Sequence, residues 1–253
     1  MKRRVFKIIS LFCLPCLLFV GGSRAASVPT QDAFHRGWEA YVAGRFVEAG
    51  ESFREAARSP AAGTLHNLGD AEWQCDHPGP AILAWEQAQW LDPFSKDTIT
   101  NLRYARKARQ LDTPELSWYE ICSTWLPVNW WPWLACASFW VAVGMVMLPA
   151  IFRWRRAGWH QGVAAAGLAV FLLTLPALSG VHTRSKLGIL LPKDTPLRLT
   201  PTSEAQILTR LPAGETARLE QERDQYVFIR TSNAAGWVER GQFGLICRQL
   251  TSN

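Results

Sequence analysis

Charge is missing from two long stretches of this 253-residue chain: no Asp, Glu, Lys or Arg stands between Glu120 and Arg153, and none between Arg156 and Arg184. Runs of that length exclude an ordinary solvated surface. A helix rises about 1.5 Å per residue, so ~20 apolar residues cross a ~30 Å hydrocarbon core. Residues 133–152 and 161–181 are therefore expected to form two membrane helices, joined by the basic loop 153–160. A buried helical hairpin in a soluble protein is the alternative.

Catalytic and metal signatures are missing too. His35, His66, His77, His160 and His182 make no ligand spacing, and Cys75-Asp-His77 is isolated. There is no Gly-rich phosphate loop, no nucleophile elbow and no paired-carboxylate or His–Cys arrangement. The expectation is a protein that is no enzyme and holds no metal or cofactor. The net charge of +6 is spread over the chain, with no basic patch interleaved with aromatics, so it points to anionic lipid headgroups rather than nucleic acid. Of the six cysteines, Cys13 and Cys16 fall in the N-terminal apolar run and Cys136 in the first membrane segment. That leaves Cys75, Cys122 and Cys247, an odd set in different regions that reads as three separate thiols.

What is present fits a membrane chain. Seven of the 13 tryptophans rim the apolar segments: Trp118, Trp125, Trp130, Trp131, Trp133, Trp154 and Trp159. Indoles favour the headgroup level, where the ring is half dry and the N–H still finds water. The N-terminus has the order of an export signal: basic Met1–Lys7, apolar Ile8–Val20, then Ser23-Arg-Ala25 for cleavage. Retention as a third membrane helix is the alternative to a cleaved signal peptide over 1–25. With that end exported, Arg153, Arg155 and Arg156 face the cytoplasm, as the positive-inside bias requires. Both soluble segments then share the non-cytoplasmic side, although Arg184 and Lys186 sit against the bias.

The first soluble segment, 28–112, is repetitive. Gly37, Ala49, Phe53 and Ala56 recur 32 residues later as Gly69, Ala81, Trp85 and Ala88. The intervals of 12, 4 and 3 residues are those of a tetratricopeptide helix pair, whose small residues admit close approach and whose aromatic fills the gap. Pro60 and Pro93 close the copies. Repeats need their outer apolar face covered, and Ile99, Leu102 and Ala105 predict a capping helix. Phe34, Trp38, Tyr41, His66, Asp70 and Trp73 are the expected concave-face residues, a groove suited to a peptide or helix with apolar anchors. Residues 113–132 are expected to be a juxtamembrane linker.

The last segment, 186–250, changes to short β-type runs: 196–199, 207–211, 216–220, 226–231 and 236–239. Five strands in so few residues suggest a small all-β barrel. Leu197, Arg198, Pro201, Ala205, Ile207, Leu211, Gly214, Tyr226, Val227, Ile229 and Gly236-Trp-Val238 follow the order of a bacterial SH3-like domain. Trp237 is expected to plug the barrel, with contact to a ligand as its sharper alternative. The fold class expected is thus a multi-domain membrane protein of helical repeats, a two-helix transmembrane hairpin and an SH3-like barrel.

The order of leader, short repeat segment ending in Asn101-Leu-Arg-Tyr-Ala105, two spans with a basic loop and SH3-like end resembles the BatE family of Bacteroides aerotolerance operons. The resemblance implies a two-pass, non-enzymatic inner-membrane component with both soluble parts periplasmic. By the same resemblance its partners would be von Willebrand factor A-type Bat proteins and a MoxR-type ATPase system. Function is expected to be that of a scaffold or adaptor. The alternative is an envelope sensor whose SH3-like domain binds peptidoglycan peptide.

Overall fold

Small residues set the spacing of the N-terminal helices. In the computed structural model, which describes residues 28–152 and 158–247, five helices run in sequence: α1 (Val28–Val42), α2 (Phe46–Ala56), α3 (Ala62–Gln74), α4 (Pro78–Leu91) and α5 (Lys96–Ala108). The two hairpins α1–α2 and α3–α4 repeat one contact. A Cβ on Gly37 would meet the Phe53 ring at 2.8 Å, and one on Gly69 would meet Trp85 at 2.5 Å. Glycine at these positions lets the aromatic of the second helix pack flat on the backbone of the first. Helix α5 follows with Leu102 and Ala105 buried, where a covering helix was expected.

The stretch 113–132 is more than a linker. It contains α6 (Trp118–Ser123), whose Ser117 and Glu120 form a reciprocal cap, and it runs into α7 (Trp130–Phe152). Helix α8 (Trp159–Arg184) returns antiparallel. The two long helices thus begin a few residues before the expected limits and the second ends three later. Both are long and apolar enough to cross a membrane, and only 22% and 17% of their apolar windows are buried within the protein. Neither is a mostly buried core helix of this chain. Leu168, Leu172, Leu173, Val146 and Met147 face outward, while Ser138 and Ala142 of α7 meet Gly167 of α8 on the inner seam, and Ala135 and Ala164 are buried. Small residues at such a seam let helix backbones approach closely. The expected leader at 1–25 and the loop arginines Arg153, Arg155 and Arg156 lie outside the described residues.

Beyond α8 the chain forms seven strands where five were expected: β1 (Leu187–Leu190), β2 (Thr195–Arg198), β3 (Ile207–Leu211), β4 (Thr216–Arg223), β5 (Tyr226–Arg230), β6 (Ala235–Glu239) and β7 (Phe243–Leu245). The antiparallel order is β3-β2-β6-β5-β4-β1-β7. The added strands escaped the sequence pattern for a physical reason. All four residues of β1 are buried, so it has no alternation, and β7 has only three residues. Leu197 and Leu211 from one end of the sheet share a core with Leu190 and Phe243 from the other, so the sheet curves around its apolar face.

Trp237 does not plug that core. Along β6, Gly236 and Val238 are buried while Trp237 alternates outward, against its register partner Phe228. Their rings meet edge-to-face at 5.3 Å. A two-residue period sends neighbours to opposite faces, and Val238 has the inward place.

Helices and sheet also share a core. Ile82, Trp85, Leu102 and Ala105 pack with Leu187, Ile189 and Ile246. Gly79 at the start of α4 sits against the backbone of Leu190 and Leu191, and Gly214, at φ +88°, sits against Ile82. Gln87 donates to the Leu245 carbonyl at 3.0 Å, and Asp76 binds both Lys193 and Arg109. The first and last segments are therefore two faces of one packed body.

Candidate functional site

Sequence-distant polar and aromatic side chains of the N-terminal helices converge on a recess. It is a cleft of about 250 Å³ lined by Tyr41, Asp70, Trp73, Gln74, Trp85, Asn101 and Tyr104. Asp70 forms its floor. Its Oδ1 accepts from Trp85 Nε1 at 3.0 Å and from Asn101 Nδ2 at 2.8 Å, and His66 Nε2 lies 3.3 Å from Oδ2. Burial pushes the Asp70 carboxyl above the usual range, and His66 and the two N–H donors offset part of that rise. Tyr41 is also raised, by burial first and then by the Asp70 charge.

Behind Asp70 runs a polar chain. His66 Nδ1 is 3.0 Å from Thr98 Oγ1, which is 2.9 Å from Ser95 Oγ at the N-cap of α5. Hydroxyl, imidazole and carboxylate follow one another as in a nucleophilic triad. Thr98 is only 1% exposed, however, so no substrate atom reaches its oxygen. The chain holds α5 to α3 and orients Asp70.

Aromatic rings form the walls. Trp73 packs on Trp85 (5.8 Å) and Tyr104 (6.0 Å), and the Arg109 guanidinium lies over it at 5.6 Å. Trp38, 51% exposed, stacks beside Tyr41 at 6.5 Å with planes 18° apart. Tyr104 is itself 63% exposed.

Of the six expected groove residues, Tyr41, Asp70 and Trp73 line the cleft, His66 supports it from behind and Trp38 stands at its edge. Phe34 does not belong to it. Its ring packs on Phe53 at 5.7 Å in the core of the first hairpin. Asn101 and Tyr104 were not anticipated, yet a signal existed. Asn101-Leu-x-x-Ala105 repeats Asn67-Leu-x-x-Ala71 at an offset of 34, which puts Tyr104 in the register of Asp70. Trp237 is remote in sequence and belongs to the outer face of the sheet.

Among the described residues, no group of three His, Cys, Asp or Glu side chains could hold a metal ion. Cys75, Cys122, Cys136 and Cys247 are free thiols. No protein-family model matches the chain, and comparison with curated proteins gives no significant match.

Proposed function

We propose that the protein is a non-enzymatic, two-pass membrane adaptor whose helical segment holds an apolar segment of a partner protein. The aromatic cleft carries this reading. Tyr and Trp dominate binding hot spots because they bury large, stiff surface with a polar tip. Asp70 Oδ1 already accepts from two protein donors and His66 lies against Oδ2, so the cleft offers shape and apolar contact rather than reactivity. Helices α1–α4 are read as tetratricopeptide-type pairs, α5 as their cap and the sheet as an SH3-like unit bracing α4. The order of parts keeps the BatE resemblance, whose implied partners are von Willebrand factor A-type Bat proteins and a MoxR-type ATPase system. Both soluble parts are read as periplasmic.

One observation favours the envelope-sensor alternative: the outward Phe228–Trp237 pair, which offers a second aromatic surface for a cell-wall peptide. Photo-crosslinking in intact cells separates the two. A photoreactive residue at position 38 should give a discrete adduct with another membrane protein. Adducts with peptidoglycan from position 237 only would reject the adaptor reading. Alkaline phosphatase fused after Thr113 or Asn253 should be active and one at Gly158 silent; the reverse pattern would put both parts in the cytoplasm.

A further inference from the structure

A second cavity, about 310 Å³, opens where the apolar hairpin meets the packed body. Its wall includes Arg184, the last residue of α8, and Ser123 and Thr124 at the end of α6; Leu126 and Val128 lead from there toward α7. Both apolar helices therefore emerge at its mouth. Arg184 is half-buried, and among the described residues it has no carboxylate within ion-pair distance. It donates to Ser123 Oγ at 3.0 Å and lies over the Trp90 ring at 4.9 Å. The second cation of the cavity, Arg106, binds Glu86 through one terminal nitrogen, while its buried Nε has no partner. Glu120 is engaged elsewhere, by Arg218. Glu86 and Glu120 both act on Arg184 at longer range, but each is already paired, so three guanidinium groups share two carboxylates.

A cation withdrawn from water with only a share of an opposite charge is costly, and guanidinium forks match phosphate oxygens in geometry. Leu126 and Val128 give an apolar exit toward the membrane helices. We propose that this cavity binds an anionic phosphodiester, with Arg184 as the principal contact and a phospholipid headgroup as the source its position favours. The same binding would explain a cation at the non-cytoplasmic end of α8: Arg184 serves a ligand and is not a free topology charge. The proposal rests on the hairpin crossing a bilayer.

The test uses the full chain, purified in uncharged detergent and inserted into vesicles of phosphatidylcholine alone or with phosphatidylglycerol. Phosphatidylglycerol should raise the melting temperature of the wild type, and the gain should vanish in Arg184→Gln. About one fewer phospholipid should remain per Arg184→Gln chain after detergent washing. Inorganic phosphate at millimolar concentration is the second arm: matching it to the lipid effect would make the source soluble and overturn the lipid assignment. Equal stabilisation of wild type and Arg184→Gln by both probes, or none by either, overturns the site. Should Arg184→Gln fail to fold, Leu126→Trp, which fills the cavity and spares both arginines, should abolish the same gain; an undiminished gain overturns the site. Protein that does not float with the vesicles overturns the membrane reading and this proposal with it.

Discussion

Arg218 of β4 donates to Glu120 Oε1 at 2.9 Å across 98 residues of sequence, and the Glu120 carboxylate has no solvent exposure. The other oxygen of Glu120 accepts from the Ser117 backbone N–H at 2.9 Å, and Arg218 also donates to the Thr183 carbonyl at 3.1 Å. One ion pair therefore ties three things together: the short helix before α7, the end of α8 and the sheet.

Breaking that pair should cost far more than a surface salt bridge. Glu120→Ala leaves Arg218 without its counter-charge and is expected to destabilise the folded body by about 3–5 kcal/mol, read by chemical denaturation followed through sheet signal. The pH dependence has a definite sign. Burial pushes the Glu120 carboxyl up, but the Ser117 N–H, Arg218 and Thr183 outweigh it and hold it below the usual glutamate range. A depressed carboxyl stabilises the fold above its unfolded value, and that contribution is lost as pH falls through the folded value. Glu120→Gln should flatten this acid limb. An unchanged acid limb would remove Glu120 from the account.

The seam between helices and sheet gives a second prediction. A Cβ on Gly79 would fall 2.6 Å from the Leu190 carbonyl oxygen and closer still to that of Leu191. Backbone cannot yield as a side-chain tip can, so Gly79→Ala should push α4 off β1 and cost about 1–3 kcal/mol. Gly63, on an open helix surface with nothing within 4 Å, is the control: Gly63→Ala should gain about 0.5–1 kcal/mol from helix propensity. By the same reasoning a 28–112 fragment exposes Ile82 and Leu83 and should aggregate or lose helicity. A soluble, fully helical fragment would show that α4 does not need the sheet.

Residues with local causes were legible in the sequence. Gly37 and Gly69, paired with Phe53 and Trp85, announced the helix hairpins because the period needed only four positions per copy. The apolar runs announced α7 and α8 by length alone. What escaped depends on contacts between distant segments. Leu187–Leu190 shows no alternation because the sheet covers one of its faces and α4 the other. The outward turn of Trp237 follows from register, since the buried places of β6 go to Gly236 and Val238. The cleft was half visible: helical spacing found Tyr41, Asp70 and Trp73, whereas Asn101 enters only because it bonds Asp70. Phe34 was misassigned because an aromatic on the first helix can face either the groove or its own hairpin partner.

Asp70 should respond to pH with the opposite sign to Glu120. Burial raises its carboxyl in the folded state, so the stabilisation it gives is present below the unfolded value and is lost as pH rises through the folded one. Asp70→Asn keeps one acceptor oxygen and removes the buried charge. It should be at least as stable as wild type at neutral pH, with any advantage fading in acid. Asp70→Ala strands the Trp85 and Asn101 N–H groups and should cost about 1–3 kcal/mol. Thermal melts of the three proteins at pH 4 and pH 7.5 suffice, and a wild type clearly more stable than Asp70→Asn at pH 7.5 would contradict the assignment.

Trp38 and Trp73 separate binding from folding. Trp38 is half exposed and stacks beside Tyr41, so Trp38→Ala should change stability by no more than about 0.5 kcal/mol. Trp73 touches Trp85, Tyr104 and Arg109 together, and its truncation should cost about 3 kcal/mol, as large-to-small changes in packed sites do. If the cleft holds a partner, Trp38→Ala keeps full helicity by circular dichroism yet weakens capture by about 2 kcal/mol, roughly 30-fold in affinity. Trp73→Ala should lose both, and Trp73→Phe should recover helicity before it recovers capture, because the ring restores packing without the indole N–H. Undiminished capture by a folded Trp38→Ala protein would move the partner off this cleft and leave the Phe228–Trp237 face as the surface to test.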